Sequence, residues 1–318
     1  MDALSDVLRV MRLKGGVYLY GEFHAPWCVL AETQPESFAP WLGETAHVIP
    51  YHYVLEGTMR IRTPDGMEFD MGPGDSILFP RNDAHLLGSD LDHPPVRGDE
   101  VVQVSDDGRL ATILMGEGTA PTRIVCGYLG AEDIRGNPVV SALPAALRLD
   151  AKDGSAAEWV QSTFRYAADR IAAGHMGSEV VLSKLSELLF IDAIKRYADS
   201  LPAHRTGWLA GLKDPYVARA LALMHARIGH PWTVDELGRE VGLSRSALAA
   251  RFGEILGLPP IQYLARWRIH VAAHELIDSG KSILQVALEV GYDSEASFTR
   301  AFRRVMEAPP ATWRRQRG

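Results

Sequence analysis

The 318-residue sequence has only two cysteines, Cys28 and Cys126, which lie far apart along the chain. This scarcity argues against a small secreted fold held together by disulfide bonds. The sequence also lacks an apolar run long enough to cross a membrane. Its first sixteen residues lack the continuous apolar segment of a secretory signal peptide. We therefore expect a cytoplasmic protein of two or three globular domains, with no membrane partner.

An excess of positive charge is also missing, since the net charge is −7. On its own this value argues against a polyanionic partner, because phosphate contacts need lysine and arginine. The charge is uneven, however. Residues 214–318 carry 14 Lys+Arg against 11 Asp+Glu, whereas residues 1–213 have a net charge of −10. This asymmetry is typical of an acidic regulatory region joined to a nucleic-acid-binding region.

Short strand-like segments fill the first half of the chain. YHYVLEG, MRIRT and SILFP alternate with turn sequences such as PDG and GPGD. This spacing is typical of an all-β sandwich or barrel, and helical periodicity replaces it near residue 156. We expect an α+β chain with a β-barrel domain over residues 1–150, a helical connector and linker over 151–213, and an all-α domain over 214–318.

Two apolar series in residues 156–200 predict a pair of amphipathic helices. The first series comprises Trp159, Phe164, Ala167 and Ile171, and the second comprises Val181, Leu185, Leu188, Leu189, Asp192 and Ile194. Helices of this kind pack on each other or on a second copy of the chain. The sequence therefore leaves open whether this region packs within the monomer or forms a homodimer.

An internal repeat fills the last hundred residues. The segments TVDELGREVGLSRSALAARF and SILQVALEVGYDSEASFTRAF correspond at an offset of 49, then 50, residues. Each copy starts with an N-cap residue, Thr233 or Ser282, and has a glycine, Gly242 or Gly291, where its first short helix must end. A proline pair follows both copies. A short helix, a glycine turn and a second amphipathic helix make a helix-turn-helix, and its tandem recurrence favours two such units over a plain helical bundle.

The repeat resembles the DNA-binding domain of the AraC/XylS family of transcription regulators. The signature IxxVAxxVGYxSxxxFxRAFRR is present from Ile283 to Arg304, and PPATWRR resembles the closing segment of the family, with Trp313 where tyrosine is common. The resemblance covers residues 215–316. It implies sequence-specific binding of double-stranded DNA by two recognition helices about 34 Å apart. RNA polymerase would be a further partner of an activator, but the sequence does not distinguish activation from repression.

The predicted DNA contacts are the exposed positions of the two recognition helices. Arginine can bind guanine through two hydrogen bonds, whereas serine and threonine are less selective. The predicted base contacts are Arg245, Ser246, Ala249, Arg251, Glu295, Ala296, Ser297, Thr299 and Arg300. The predicted phosphate contacts are Arg303, Arg304, Arg314 and Arg315.

The N-terminal half resembles the cupin sensor domain of one branch of these regulators. GPGDSILFPRNDAH, residues 72–85, resembles the second cupin motif, with Gly74, Pro80 and His85 in place and Asn82 where the motif has glycine. YHYVLEG ends as the first cupin motif does. The usual HxH pair and the ligand glutamate are missing at their spacing, so the resemblance implies a sensor fold without implying the standard metal site.

Three kinds of signal remain open for this domain. A zinc-like divalent metal suits His52, His85 and Cys126, with His47 as an alternative to His52. An oxidant is a second candidate, because IVCG around Cys126 resembles a cysteine position in regulators of this branch that respond to reactive chlorine, and Cys28 is the only available partner. A small organic effector is the third. Its pocket would be lined by Trp27, Tyr51, Tyr53 and Phe79.

The competing function is a metal-dependent cupin enzyme, such as an oxygenase or isomerase, joined to a DNA-binding domain. Chemistry of that kind needs a full ligand set with an open coordination position, and the missing motif counts against it. The sequence therefore predicts a DNA-binding transcription regulator with no catalytic residues, controlled by a small effector, a metal or an oxidant.

Overall fold

A computed structural model of the chain shows two compact units. The sheet unit comprises Arg12–Ile134 and Leu143–Asp199, and the helical unit comprises Met1–Met11, Arg135–Ala142 and Ser200–Gly318. The structure describes residues 3–11, 13–34, 47–104, 111–118, 120–131, 137–150, 162, 164–166, 178–202 and 205–317. Within these ranges, no helix has the length and apolar character needed to span a membrane.

The strands of the sheet unit form two sheets. The strands are β1 (Lys14–Phe23), β2 (Cys28–Ala31), β3 (His47–Glu56), β4 (Met59–Arg62), β5 (Glu68–Met71), β6 (Ser76–Leu78), β7 (His85–Gly88), β8 (Val96–Arg97), β9 (Gln103–Val104), β10 (Ala111–Met115), β11 (Thr122–Ala131) and β12 (Leu147–Leu149). The larger sheet has the order β12-β6-β3-β11-β1-β10-β9, and the smaller has the order β5-β4-β7-β2-β8. The α+β class is confirmed, but the sheets do not close into the predicted barrel.

Alternation along the strands fixes which side chains enter the core. In β4, Met59 and Ile61 are buried, whereas Arg60 and Arg62 face outward and pair with Glu68 of β5. A period of two residues is what a half-buried strand requires. Buried side chains from both sheets meet in one apolar cluster, which includes Val54, Ile61, Leu87 and Ile124. The core of this unit therefore depends on both sheets.

The described part of the sheet unit also contains α2 (Gly98–Val101), α4 (Ser178–Ser200) and helical residues at 162 and 164–166. The second of the two predicted connector helices is confirmed as α4, and Leu185, Leu189 and Ile194 lie on its buried side. The Ser186 hydroxyl is 2.8 Å from the Tyr51 hydroxyl of β3. Of the first predicted helix, Phe164 is buried, whereas Trp159, Ala167 and Ile171 lie outside the described residues.

The helical unit is built from short helices. They are α1 (Ala3–Met11), α3 (Pro138–Ala142), α5 (Trp208–Gly211), α6 (Pro215–Ala226), α7 (Val234–Val241), α8 (Arg245–Leu256), α9 (Pro260–Asp278), α10 (Ile283–Glu289), α11 (Glu295–Met306) and α12 (Pro310–Arg317). Helices α6, α7 and α8 form a first module. Helix α9 packs with α10 and α11 to form a second, and α12 closes it.

Local signals in the repeat set these helix boundaries. The Thr233 hydroxyl accepts a hydrogen bond from the Glu236 amide at the start of α7, and Ser282 forms a capping box with Gln285 at the start of α10. Gly242 and Gly291 have φ angles of 85° and 86°, in the left-handed region that favours glycine. The predicted helix starts and glycine turns are therefore confirmed in both copies.

The N-terminal helix α1 belongs to the helical unit, which no pattern in the sequence indicated. Ala3, Val7 and Met11 are buried at helical spacing, and α1 contacts α3, α6 and α9. The Asp6 carboxylate lies 3.7 Å from the His225 imidazole of α6. The N-terminal helix therefore packs in the same unit as helices α6 and α9.

We predict that an added methyl group is tolerated differently at two glycines with similar backbone angles. A Cβ at Gly291 would lie 2.6 Å from the Arg268 guanidinium and 2.7 Å from the Gly229 carbonyl oxygen, whereas a Cβ at Gly257, with φ 76°, would meet no atom within 4 Å. Gly257→Ala should cost about 1–2 kcal/mol from backbone strain. Gly291→Ala should cost about 1–3 kcal/mol more from overpacking.

Urea unfolding of the full chain, followed by helical circular dichroism, measures both losses. Equal losses for the two variants would show that the neighbours of Gly291 are not packed as described.

Candidate functional site

The second helix of each module presents one buried and one exposed face. In α8, Leu248 and Phe252 are fully buried, and in α11 the same is true of Phe298 and Phe302. The Ser244 and Ser294 hydroxyls cap the two helices by accepting hydrogen bonds from the Ala247 and Ser297 amides. Each helix thus begins just after its glycine turn, with its first turns exposed.

Most predicted base contacts lie on these exposed faces. Arg245, Ser246, Ala249, Arg251, Glu295, Ala296 and Arg300 are exposed, and Ser297 and Thr299 are half-buried. Two arginines of this set, Arg245 and Arg300, make no hydrogen bond or ion pair with other described residues. The same holds for three predicted phosphate contacts, Arg303, Arg304 and Arg315. Free guanidinium groups at the exposed face of a helix-turn-helix are suited to DNA phosphates and base edges.

Two of the predicted DNA-contacting arginines bond other parts of the fold. The Arg251 guanidinium bonds the Asp214 carboxylate at 2.5 and 2.7 Å and lies over the Tyr216 ring. It therefore ties α8 to the start of α6, so the geometry does not support the predicted base contact. Arg314 donates to the Leu276 and Lys281 carbonyl oxygens at 2.8 and 2.6 Å. This side chain therefore covers the end of α9.

Sequence reasoning missed Arg268, which links the two modules. Its guanidinium donates to the carbonyl oxygens of Ile228 and His230 in the turn before α7, and to that of Gly291 in the turn before α11. Burial lowers the pKa of Arg268, but the side chain remains a strong cation. The only signal in the sequence was a charge beside the buried Trp267, which is equally typical of a surface residue.

In the sheet unit, the predicted metal ligands form a hydrogen-bonded chain. His52 and Cys126 are register partners on the adjacent strands β3 and β11. The His52 Nδ1 atom is 2.8 Å from the Cys126 Sγ atom, and its Nε2 atom is 2.7 Å from the Nε2 atom of His85 on β7. All three side chains are buried. This hydrogen-bonded chain of three side chains therefore joins the larger sheet to the smaller one.

The last acceptor in this chain fixes the position of each proton. His85 Nδ1 lies 3.0 Å from the Asp83 carbonyl oxygen, which can only accept, so Nδ1 carries the hydrogen. A neutral His85 then accepts at Nε2 from the Nε2–H of His52. His52 in turn accepts at Nδ1 from the Cys126 thiol. Every donor has an acceptor while all three groups are neutral.

The orientation of the two imidazole rings bears on the predicted metal site. A single metal ion needs all its ligands to point at one centre, but His52 uses opposite ring nitrogens for its two partners. Among the described residues, no group of three His, Cys, Asp or Glu side chains is arranged to hold a metal. The alternative ligand, His47, contacts the Pro80 carbonyl oxygen instead.

The thiols do not have the character of redox sensors. Burial raises the pKa of both Cys126 and Cys28, and both thiols are free and inaccessible. A reactive cysteine needs an exposed thiolate with a lowered pKa. Oxidation of either residue would first require this unit to open.

The aromatic residues of the predicted effector pocket fill the core. Trp27 stacks on Phe23, Phe79 stacks on His85, and Tyr53 stacks on Phe164. All four predicted lining residues, Trp27, Tyr51, Tyr53 and Phe79, are buried. The Trp27 indole N–H has no acceptor among the described residues, which marks the one place in this set where a ligand acceptor would be stabilising.

Two helix-turn-helix modules with exposed arginines define a sequence-specific DNA-binding unit. A family model described as Cupin matches residues 2–199, and one described as Helix-turn-helix domain matches residues 237–316. An AraC-like transcription regulator of Streptomyces lividans is 30% identical over 99% of this chain and 98% of its own length. The chain belongs to the AraC/XylS family of transcription regulators, in the group with an N-terminal cupin domain. It is a regulator rather than the alternative cupin enzyme.

Other similar proteins are regulators as well. AlkR of Acinetobacter baylyi is 27% identical over 99% of this chain and 100% of its own length, and the RCS-specific activator RclR of Escherichia coli is 24% identical over 99% and 97%. A solved AraC-type regulator from Chromobacterium violaceum is 33% identical, covers 33% of this chain and 93% of its own, and has a TM-score of 0.32. The DNA-binding domain of AdpA bound to target DNA is 28% identical, covers 32% and 92%, and has a TM-score of 0.31.

We predict that mild acid destabilises the sheet unit through its buried imidazoles. Burial lowers the pKa of His85 to about 4. The pKa of His52 is lowered mainly by burial and to a smaller extent by repulsion from His85. As pH falls through 6.5 the unfolded chain gains protons that the folded chain does not, so stability present at pH 7 is lost towards pH 4. His85 alone should cost about 2 kcal/mol at pH 5.

Urea midpoints at pH 7 and pH 5 test this expectation. His85→Gln should reduce the acid sensitivity, whereas the control His93→Gln, outside the buried chain, should retain it. Identical pH responses in His85→Gln and wild type would contradict the assignment of a buried neutral imidazole.

Proposed function

We propose that the chain regulates transcription by placing α8 and α11 in successive major grooves of one DNA site, under control of a signal sensed in the sheet unit. The observation that carries this proposal is the presence of two exposed, arginine-bearing helices in two modules that Arg268 connects through backbone carbonyl oxygens. The proposed DNA contacts are Arg245, Ser246, Ala249, Glu295, Ala296, Ser297, Thr299, Arg300, Arg303 and Arg304. Since the function needs access to the chromosome, we place the protein in the cytoplasm.

Among the three candidate signals, the geometry favours a small organic effector. The imidazole–thiol chain is neutral and satisfied internally, which supports neither metal ligation nor thiolate chemistry. The buried Trp27 N–H, by contrast, lacks a partner among the described residues. RclR is named as an RCS-specific activator, so oxidant sensing remains the second candidate. For activation, the further partner would be RNA polymerase.

A second part of the proposal is that two copies of the chain pair through the outer face of α4. Val180, Val181, Leu188 and Ile191 are 67%, 42%, 46% and 39% exposed along this face. The opposite face is buried within its own unit. An exposed apolar stripe on an otherwise amphipathic helix is typical of an interface. A twin helix offers the same stripe, so a two-fold contact is self-complementary.

For DNA recognition, we predict that Arg300→Ala weakens binding to one half of the site only. Loss of a base-contacting arginine should cost about 1–3 kcal/mol, or roughly 5-fold to 150-fold in affinity. Arg219→Ala is the matched control, because Arg219 is exposed on α6 outside the recognition helices. Fluorescence anisotropy on a selected site, and on sites scrambled in either half, separates the two halves.

The DNA affinity of the wild-type protein should also fall steeply as the salt concentration rises, because arginine contacts displace counterions from the DNA phosphates. An unchanged sequence preference in Arg300→Ala would mean that α11 does not read bases. Absence of specific DNA binding by the wild-type chain would refute the proposal as a whole.

For assembly, we predict that Leu188→Asp turns a dimer into a monomer. Desolvating a carboxylate in an apolar contact is costly, so the dimer should dissociate while the exposed position leaves the fold intact. Leu114→Asp is the control, since Leu114 is 62% exposed on β10, away from this helix. Sedimentation velocity measures both. A wild-type monomer, or a Leu188→Asp dimer, would exclude this interface.

A further inference from the structure

A cavity of about 280 Å³ lies within the helical unit, between α3, α5, the end of α8 and α9. It is partly open to solvent, and it lies apart from the buried aromatic core where the sequence predicts an effector. Its lining residues are Pro138, Ser141, Ala142, Gly207, Trp208, Leu256, Leu258, Tyr263, Arg266, Trp267 and His270. We call it the α9 cavity.

The floor of the α9 cavity is aromatic. Trp208, Tyr263 and Trp267 are each about 5% exposed or less. The Trp208 indole N–H donates to the Tyr263 hydroxyl at 2.9 Å. Because that hydroxyl is the acceptor there, it donates in turn to the His225 Nε2 atom, 2.8 Å away. The polar atoms of Trp208 and Tyr263 are therefore satisfied within the protein, and these rings offer apolar surface to an occupant.

The rim of the cavity carries positive charge. Arg266 is exposed on α9, and among the described residues its guanidinium has no hydrogen-bond or ion-pair partner. His270 lies one helical turn further along the same wall. The Ser141 hydroxyl of α3 also lines the cavity, but it already donates to the Asn137 carbonyl oxygen at 2.9 Å. Arg266 and His270 also line a neighbouring groove with Gln262 and Arg304. Among the described residues, no carboxylate lines either space. The rim thus favours one anionic group on a ligand.

We propose that the α9 cavity binds a compact aromatic molecule bearing a single carboxylate, with its ring on the Trp208 and Trp267 side chains and its carboxylate at Arg266. The volume of about 280 Å³ lies just below the usual range of ligand sites, and the flat aromatic floor suits a fused bicyclic ring. Leu256 lies in the last turn of recognition helix α8. A ligand in the cavity contacts Leu256 and thereby couples this site to DNA binding by α8. This coupling rests on the proposed function.

Isothermal titration of the full-length chain with 2-naphthoate tests the site. The expected result is saturable binding of one molecule per chain. The neutral analogue 2-naphthamide, which has the same ring system, should bind at least tenfold more weakly, because it cannot form the charge-assisted contact with Arg266.

Variants assign the binding to this cavity. Arg266→Gln should remove the preference for naphthoate over naphthamide, and Arg266 is exposed without described partners, so the fold should not depend on it. Arg219→Gln, which removes an exposed arginine elsewhere in the unit, should leave both affinities unchanged. Ala142→Phe should fill the cavity and weaken both ligands at least tenfold.

Three outcomes would overturn the proposal: no saturable binding of naphthoate, equal affinity for the two ligands in wild type, or an undiminished preference in Arg266→Gln. DNA affinity is measured on the same preparations without ligand. Specific DNA binding without naphthoate binding would reject the α9 cavity alone, whereas naphthoate binding without specific DNA binding would reject the proposed function alone.

Discussion

Three hydrogen bonds from the Arg268 guanidinium join the turn before α7 in the first module to the turn before α11 in the second. The planar group has several N–H donors in a fixed geometry, so it can bond the Ile228, His230 and Gly291 carbonyl oxygens at once. Gly229 and Gly291 allow the two backbones to approach, since a Cβ on either would meet the facing backbone at 2.7 Å. The relative orientation of the recognition helices, and hence their fit to one DNA duplex, depends on this contact.

Hydrogen bonds between buried side chains also connect the two sheets of the sheet unit. The chain from Cys126 through His52 to His85 connects the two sheets, and the Asp83 carbonyl oxygen fixes its direction. Buried polar groups are stable only when each donor and acceptor is satisfied. Protonation of either imidazole or loss of the thiol proton would break that match. The unit therefore combines an apolar core with one polar connection that is specific to the neutral state.

The sequence predicted the features that depend on neighbouring residues. Thr233, Ser282, Gly242 and Gly291 act within one or two turns of their own positions, so the repeat alone locates both helix-turn-helix units. Contacts between distant residues were not predictable in this way. Arg251 and Arg268 look like surface charges until Asp214 and the turn carbonyls are placed beside them. Sequence reasoning predicted that His52, His85 and Cys126 lie close together. Only the orientation of the two imidazole rings in the structure distinguishes a hydrogen-bonded chain from a metal site.

The most direct test measures the spacing of the recognition helices in the free protein. Spin labels at Ala249→Cys and Ala296→Cys, diluted with unlabelled chain, report the separation of α8 and α11, and the native cysteines are buried. If Arg268 fixes that separation, the distance distribution should be single and narrow near about 34 Å, and Arg268→Met should broaden it. A broad distribution in the wild-type background, or an equally narrow one in Arg268→Met, would contradict the account.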